Sequence, residues 1–177
     1  ILKRIADLDL DSDRGISLEE GILVNDAAKI INDPEIDIVV ELMGGMTTAK
    51  EFILSAMKNK KHVVTANKAL LAEHGRELYK TAFENNVSLA FEAAVGGGIP
   101  VIRSLKEGLA ANNIKSMIGI LNGTSNYILT RMAMDGLSYS NAVQGAIELG
   151  YAEDPPDLDV NGTDAAHKLA ILISLAY

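Results

Sequence analysis

The chain has 177 residues, 48% of them hydrophobic and 23% charged, the balance of a folded globular protein rather than a disordered one. Lys plus Arg number 16 against 24 Asp plus Glu, a formal net charge of −8, which argues against a nucleic-acid surface built on clustered positive charge. There is no cysteine, which excludes disulfides, thiolate metal sites and cysteine nucleophiles from this chain.

Ile1-Leu2-Lys3-Arg4 carries neither an initiator Met nor a signal peptide, so the chain reads as beginning mid-fold, with a cytoplasmic location expected. Ile5-Ala6 reads as an early strand. Asp7 or Asp9 beside it stands where a ribose-binding acid would, but no Gly-x-Gly-x-x-Gly accompanies it. Ile36 to Leu42 is a β-rich run, followed by Met43-Gly44-Gly45. The spacing of Ala49, Phe52, Ile53, Ala56 and Met57 predicts a helix with one apolar face, capped by Thr47. Lys58, Lys60, Lys61 and His62 read as its solvated end. His62 to Thr65 is a second strand, ending at Asn67-Lys68. The helix after it turns Leu71, Leu78, Ala82 and Phe83 inward and stops at Asn85-Asn86. Val87 to Phe91 is a third strand, ending at Glu92.

This alternation predicts parallel strands joined by right-handed crossovers, the later part of a doubly wound α/β sheet. Gly44-Gly45, Asn67-Lys68 and Glu92 all fall just past carboxyl ends of strands, the edge where open α/β sheets bind ligands. Any one of these loops alone reads as ordinary turn chemistry. Three on one edge point to a site.

Past residues 92–96 the alternation stops, so a boundary is expected there, with residues 1–92 in one domain and 93–177 in a second, α+β lobe. Gly96-Gly97-Gly98-Ile99-Pro100 leads to a helix with Pro100 in its first turn and Val101, Leu105 and Leu109 on its apolar face. The glycines could present amides to an anion or serve as a hinge. Ile114 to Leu121 reads as a strand, after which Asn122-Gly123-Thr124 opens a helix to about Asp135. Another helix runs from about Ser140 to Leu149 and stops at Gly150. Tyr151 to Asp159 reads as an acidic loop, and a final helix starts near Thr163. No apolar run approaches the ~18 residues of a membrane span.

Asp164 and Lys168 are one turn apart on that last helix, in the favourable order for an ion pair. Because Leu169 to Ile173 are apolar all round, the helix is expected to be buried and Lys168 drawn inward. A lysine beside a carboxylate there can exchange a proton with an alcohol or carbonyl; a helix-surface salt bridge is the other reading. Glu153, Asp154, Asp157 and Asp159 could hold an ammonium group, or could form a solvated acidic loop. His167 reads as a surface or packing residue.

Taken in order, Glu41-Leu42-Met43-Gly44-Gly45, Val63 to Lys68, Glu92 to Pro100, Gly119 to Tyr127 and Gly150 to Lys168 resemble the homoserine dehydrogenase family. The resemblance covers nearly the whole chain and is most specific in Asp-x-x-Gly-x-Asp-x-x-x-Lys, Asp159 to Lys168. It implies reduction of L-aspartate 4-semialdehyde to L-homoserine with NAD(P)H, a step toward threonine, methionine and isoleucine. By that resemblance Lys168 is the proton donor, Asp164 orients it, and Glu153 receives the substrate ammonium. Asp159, Thr124, Gly123 and Tyr151 complete the pocket. Lys68, with Gly44, Gly45 and Asn67, lies on the NAD or NADP side. Glu92, Val95, Gly97 and Ile99 offer oxygens to a monovalent cation, sodium. A homodimer is implied, with no nucleic-acid or membrane partner.

The family's usual Glu-Ala-Asp-Pro is here Glu153-Asp154-Pro155-Pro156, which moves one acid by a position. The glycine-rich phosphate loop and the strands returning after Lys168 do not occur in the chain, which reads as an internal piece. A semialdehyde dehydrogenase of similar build needs a cysteine, and there is none. A substrate-lobe module without catalysis is the non-enzymatic alternative.

Overall fold

Every strand of the computed structural model, which describes residues 1–177, lies in the first of two compact units, Ile1–Ala94; the second is Val95–Tyr177. In the first unit β1 (Ile5–Ala6) pairs in parallel with β2 (Leu23–Val24), and the short helix α1 (Ala28–Ile31) follows. A separate parallel sheet takes β3 (Ile38–Glu41), β4 (His62–Thr65) and β5 (Leu89–Ala90) in that order, with Val39 opposite Val63 and Val63 opposite Leu89. The connections are α2 (Thr47–Lys58) and α3 (Lys68–Asn85), giving the predicted α/β alternation. Alternation along the strands decides burial: Glu41, Val63, Thr65 and Leu89 are buried, whereas Ile38, Val40 and Val64 stand on the exposed face.

α2 buries Ala49, Ile53, Ala56 and Met57, as their spacing requires. Thr47 does not cap it. Met46 already has helical backbone and occupies the cap position without a side-chain bond, so Thr47 falls inside the first turn. α3 is capped by Asn67, whose side chain accepts the Leu70 N–H at 3.1 Å, and ends at Asn86 in left-handed conformation with φ 56°. Leu70, Leu71, Leu78 and Ala82 are buried there, but Phe83 is 87% exposed. Five residues beyond Leu78, Phe83 sits about 140° round the helix and misses the stripe.

Lys61 also departs from expectation. It is buried, and its ammonium donates to the carbonyls of Asp33 at 2.5 Å and Ile36 at 2.7 Å. Of the predicted strand Val87 to Phe91 only Leu89–Ala90 is ladder-paired. Phe91 is buried, and its ring meets Tyr79 edge-on with centroids 5.8 Å apart.

In the second unit α4 (Val101–Arg103) runs into a π-helical turn, Ser104–Gly108, and Pro100 occupies the cap position rather than the first turn. Ile102 is the residue it buries, while Leu109 is exposed, because the wider turn shifts the spacing that placed Leu109 inward. Helices α5 (Gly123–Asp135), α6 (Tyr139–Glu148), α7 (Asp157–Val160) and α8 (Thr163–Ala176) follow. The predicted strand Ile114 to Leu121 forms no strand. No partner strand lies beside it in this unit, and without a ladder Ile118 and Ile120 stay 97% and 77% exposed. The α+β expectation for this lobe is met in its helices only. Ile128, Ala142 and Ala146 form the centre of the α5–α6 core. The acidic segment is not all loop, since Asp157–Val160 makes a turn of helix. α8 buries Ile171 and Leu172 but leaves Leu169 and Ile173 exposed, so it has one inward face rather than burial all round. No helix is long and apolar enough to cross a membrane.

Candidate functional site

Asn122 ends the irregular stretch in extended backbone and caps α5, its Oδ1 accepting the Ser125 N–H at 2.6 Å. Its Nδ2 donates to Asp159 Oδ1 at 2.9 Å and to Asp164 Oδ2 at 3.0 Å. Gly162, with φ 86°, turns the chain into α8 and sets Asp164 in the first turn, where the helix dipole favours a carboxylate. One turn on, Lys168 Nζ donates to Asp164 Oδ2 at 2.6 Å and to the Leu121 carbonyl at 2.8 Å. The side chains of Lys168 and Asp164 are only 20% and 7% exposed, which removes the reading as a solvated surface pair. The Thr124 hydroxyl donates to the Tyr151 carbonyl, and that of Ser125 donates to the Asp159 carbonyl at 2.9 Å. Tyr127 and Tyr151 stack at a tilt, with centroids 5.1 Å apart.

These groups wall a cavity of about 680 Å³ within the second unit. Of the predicted substrate and proton-transfer residues, Gly123, Thr124, Tyr151, Asp159, Asp164 and Lys168 all line it. Glu153 does not: it is exposed on the loop before α7. His167 does not line it either. Sequence reasoning missed Asn122 as a polar junction, along with Asn126, Tyr127 and Thr130 on the cavity wall. The signal for Asn122 was its place ahead of Gly-Thr-Ser, where a capping side chain is expected. An ammonium has three donor hydrogens, and two of those on Lys168 are directed at Asp164 and Leu121. The third can serve an oxygen in the cavity.

In the first unit a second network ties the carboxyl ends of β3 and β4. Glu41 is buried; its Oε1 accepts the amides of Met43 at 2.9 Å and Gly44 at 3.2 Å, and its Oε2 accepts the Thr65 hydroxyl at 2.6 Å. The same hydroxyl oxygen accepts the Asn67 N–H at 3.0 Å, and Asn67 Nδ2 donates to the Gly45 carbonyl at 2.6 Å. Gly44 and Gly45 both have φ 71°, and a Cβ on either would meet nothing, so backbone conformation rather than space calls for glycine. Lys68 is the first residue of α3 and half-buried. Asp7 accepts the Asp9 N–H at 3.0 Å and pairs with Arg14 at 3.0 Å; these contacts, the first above all, hold its carboxyl below the usual range. Asp9 is held at about 2 by its bonds from Ser12 and Asp11.

Among the predicted cation donors, Glu92 opens a short 3₁₀ turn and Val95 is buried. Gly97 has φ 58°, and the Ile99 carbonyl accepts the Val101 N–H at 2.8 Å. No cluster of three His, Asp or Glu side chains with metal-binding geometry occurs.

Residues 2–92 match the family model described as homoserine dehydrogenase, NAD binding domain, and residues 100–177 match the one described as homoserine dehydrogenase. A homoserine dehydrogenase of Synechocystis is 49% identical over 99% of this chain, which spans 41% of that relative's length. The crystal structure of a homoserine dehydrogenase from Thiobacillus denitrificans superposes with a TM-score of 0.92 at 47% identity, covering 99% of this chain and 40% of that one. A hyperthermophilic archaeal homoserine dehydrogenase in complex with NADPH superposes at a TM-score of 0.78 and 32% identity, over 86% of this chain and 47% of its own. With both halves matched and the cavity residues in their motif order, this chain belongs to the homoserine dehydrogenase family.

Proposed function

We propose that this chain carries the proton-transfer site of an enzyme that interconverts L-homoserine and L-aspartate 4-semialdehyde with NAD or NADP. In this reading residues 1–92 belong to the nucleotide domain and 93–177 to the substrate domain. The observation that carries it is the Lys168 ammonium, held by Asp164 and the Leu121 carbonyl on the wall of a cavity shared with Thr124, Tyr151 and Asp159.

Nicotinamide, when bound, supplies the hydride for C4 of the semialdehyde. Lys168 then gives its proton to the aldehyde oxygen, and in the reverse direction takes it from the homoserine hydroxyl. Asp164 keeps the ammonium aimed and offsets its charge. Asp159, Thr124, Tyr151 and the backbone at Gly123 bound the substrate's polar end, and Glu153 meets its ammonium group from the adjoining loop. Gly44, Gly45, Asn67 and Lys68 hold the cofactor at the carboxyl edge of β3 and β4. Their fit rests on two glycines whose backbone is open to a ligand and on an Asn67 side chain that fixes both loops. NADP as one cofactor is supported by the archaeal relative's complex with NADPH.

Sodium is the proposed cation for the oxygens of Glu92, Val95, Gly97 and Ile99, a mostly neutral oxygen set suited to a hard monovalent ion. The parent enzyme is proposed to be a cytoplasmic homodimer in threonine, methionine and isoleucine synthesis. The test is homoserine-dependent reduction of NAD and NADP by the full-length parent and by this chain. Turnover by the parent that disappears in Lys168→Ala supports the reading; a parent without turnover overturns it.

A further inference from the structure

Asn122 has no part in the chemistry above, yet its amide is the junction of the site. Its acceptor and both of its donor hydrogens are engaged, by the Ser125 N–H and by Asp159 and Asp164, and the residue is only 8% exposed. Only a carboxamide satisfies that set. A carboxylate of the same shape would set a third like charge against two others, and a serine would keep the cap but lose the paired donors. The Asp164 oxygen that receives Asn122 is the same Oδ2 that receives Lys168. A neutral donor that does not release its hydrogen therefore shares that oxygen with the ammonium.

We infer that Asn122 is a positioning residue: it locks the carboxylates of Asp159 and Asp164 so that Asp164 stays aimed at Lys168 whether or not the lysine carries its proton. The inference rests on the proposed proton transfer by Lys168. When the lysine has given its proton away, Asp164 loses its nearest positive charge. The amide bond from Asn122 persists and stops the carboxylate from turning toward water or toward the substrate's new hydroxyl. Through Asp159 the same side chain also fixes a second carboxylate on the cavity wall, so one amide holds both acids in place beside the proton donor.

The test uses the full-length enzyme with Asn122→Ser and Asn122→Asp. Both replacements cap a helix as well as Asn, so the start of α5 survives in each, while the double donation is lost in both. The thermal midpoint of Asn122→Ser should stay close to that of the unmodified enzyme, while Asn122→Asp should melt lower at neutral pH, where it sets a third carboxylate against two. The kcat should fall by about 10- to 100-fold, with the KM for the nicotinamide nucleotide unchanged. Asn122→Asp should regain part of its rate as pH falls, because protonating one of three clustered carboxylates restores a donor. A merely structural cap would show no such recovery. Unchanged kcat in both variants overturns the inference, as does a loss of rate that only follows a loss of folded protein in both. If the unmodified enzyme does not oxidise homoserine, it is the functional reading that fails instead.

Discussion

Lys168 donates to the carbonyl of Leu121, which lies 47 residues earlier in the chain, at 2.8 Å. The direction of the ammonium is thus set by the fold of the second unit and not by α8 alone. Asp164, one turn away on the same helix, supplies the other acceptor at 2.6 Å. A lysine fixed by one local and one distant partner presents its remaining hydrogen in a defined direction, which is what transfer to a bound oxygen needs.

Lys168→Arg in the full-length enzyme is therefore expected to keep the positive charge and lose the reaction. A guanidinium does not release its proton at working pH, so turnover should drop by about 10²- to 10⁴-fold. The circular dichroism spectrum should be unchanged. Steady-state rates near those of the unmodified enzyme would remove Lys168 from the chemistry.

Lys61 gives a stability prediction. Its ammonium meets two backbone carbonyls in the turn before β3; in Lys61→Met the Ile36 carbonyl loses this donor, while that of Asp33 keeps the Ile36 N–H at 3.2 Å. Unfolding in urea should show a loss of about 1–3 kcal/mol. A midpoint equal to that of the original chain would mean that water replaces the ammonium without cost.

Tyr79 points the other way. Its hydroxyl is buried without a hydrogen-bond partner, and burial pushes the phenol up to about 12. In the unfolded chain the same phenol loses its proton near pH 10. The folded state therefore holds the extra proton between about pH 10 and 12, and its stability falls with rising pH across that window. Tyr79→Phe should raise the urea midpoint slightly at pH 7, by up to about 1 kcal/mol. It should also lose the alkaline decline that belongs to this residue. A lower midpoint in the variant would show that the hydroxyl has a partner after all.

Glu41 offers a test of the proposed cofactor edge. Its carboxylate takes two loop amides and the Thr65 hydroxyl, so Glu41→Ala frees the Met43–Gly45 turn while Glu41→Gln keeps the shape. In the full-length enzyme Glu41→Ala should weaken nicotinamide nucleotide binding by about tenfold, equivalent to ~1.4 kcal/mol. Glu41→Gln should weaken it less. Calorimetric titration checks both, and equal affinity in all three proteins would separate this loop from the cofactor.

The legible parts were those in which local chemistry decides. The stripe Ala49, Ile53, Ala56 and Met57 and the stop at Asn86 follow from spacing and side-chain type within a few residues. The Asp164–Lys168 pair was readable from its spacing on α8. What failed was decided at a distance. Lys61 looked like one of a row of surface cations, and only the turn at Asp33–Ile36 makes it a buried donor. Residues 114–121 have strand composition, but a strand needs a neighbour, and none is at hand in the second unit. Asn122 reads from sequence only as part of the opening of α5; its task as a junction depends on acids 37 and 42 residues further on. Phe83 was a small error of helical angle.

The unpaired stretch has a consequence for handling the chain. Ile118 and Ile120 are bare, two residues apart, in a segment of β-prone composition with its backbone outside any ladder. Two such segments from different molecules can form the sheet that one molecule lacks. Association of this polypeptide at high concentration would then be a sticky side reaction, and would say little about the native quaternary arrangement. Placing a lysine at position 118 separates the two: it should disperse adventitious clusters and leave a genuine subunit interface elsewhere untouched.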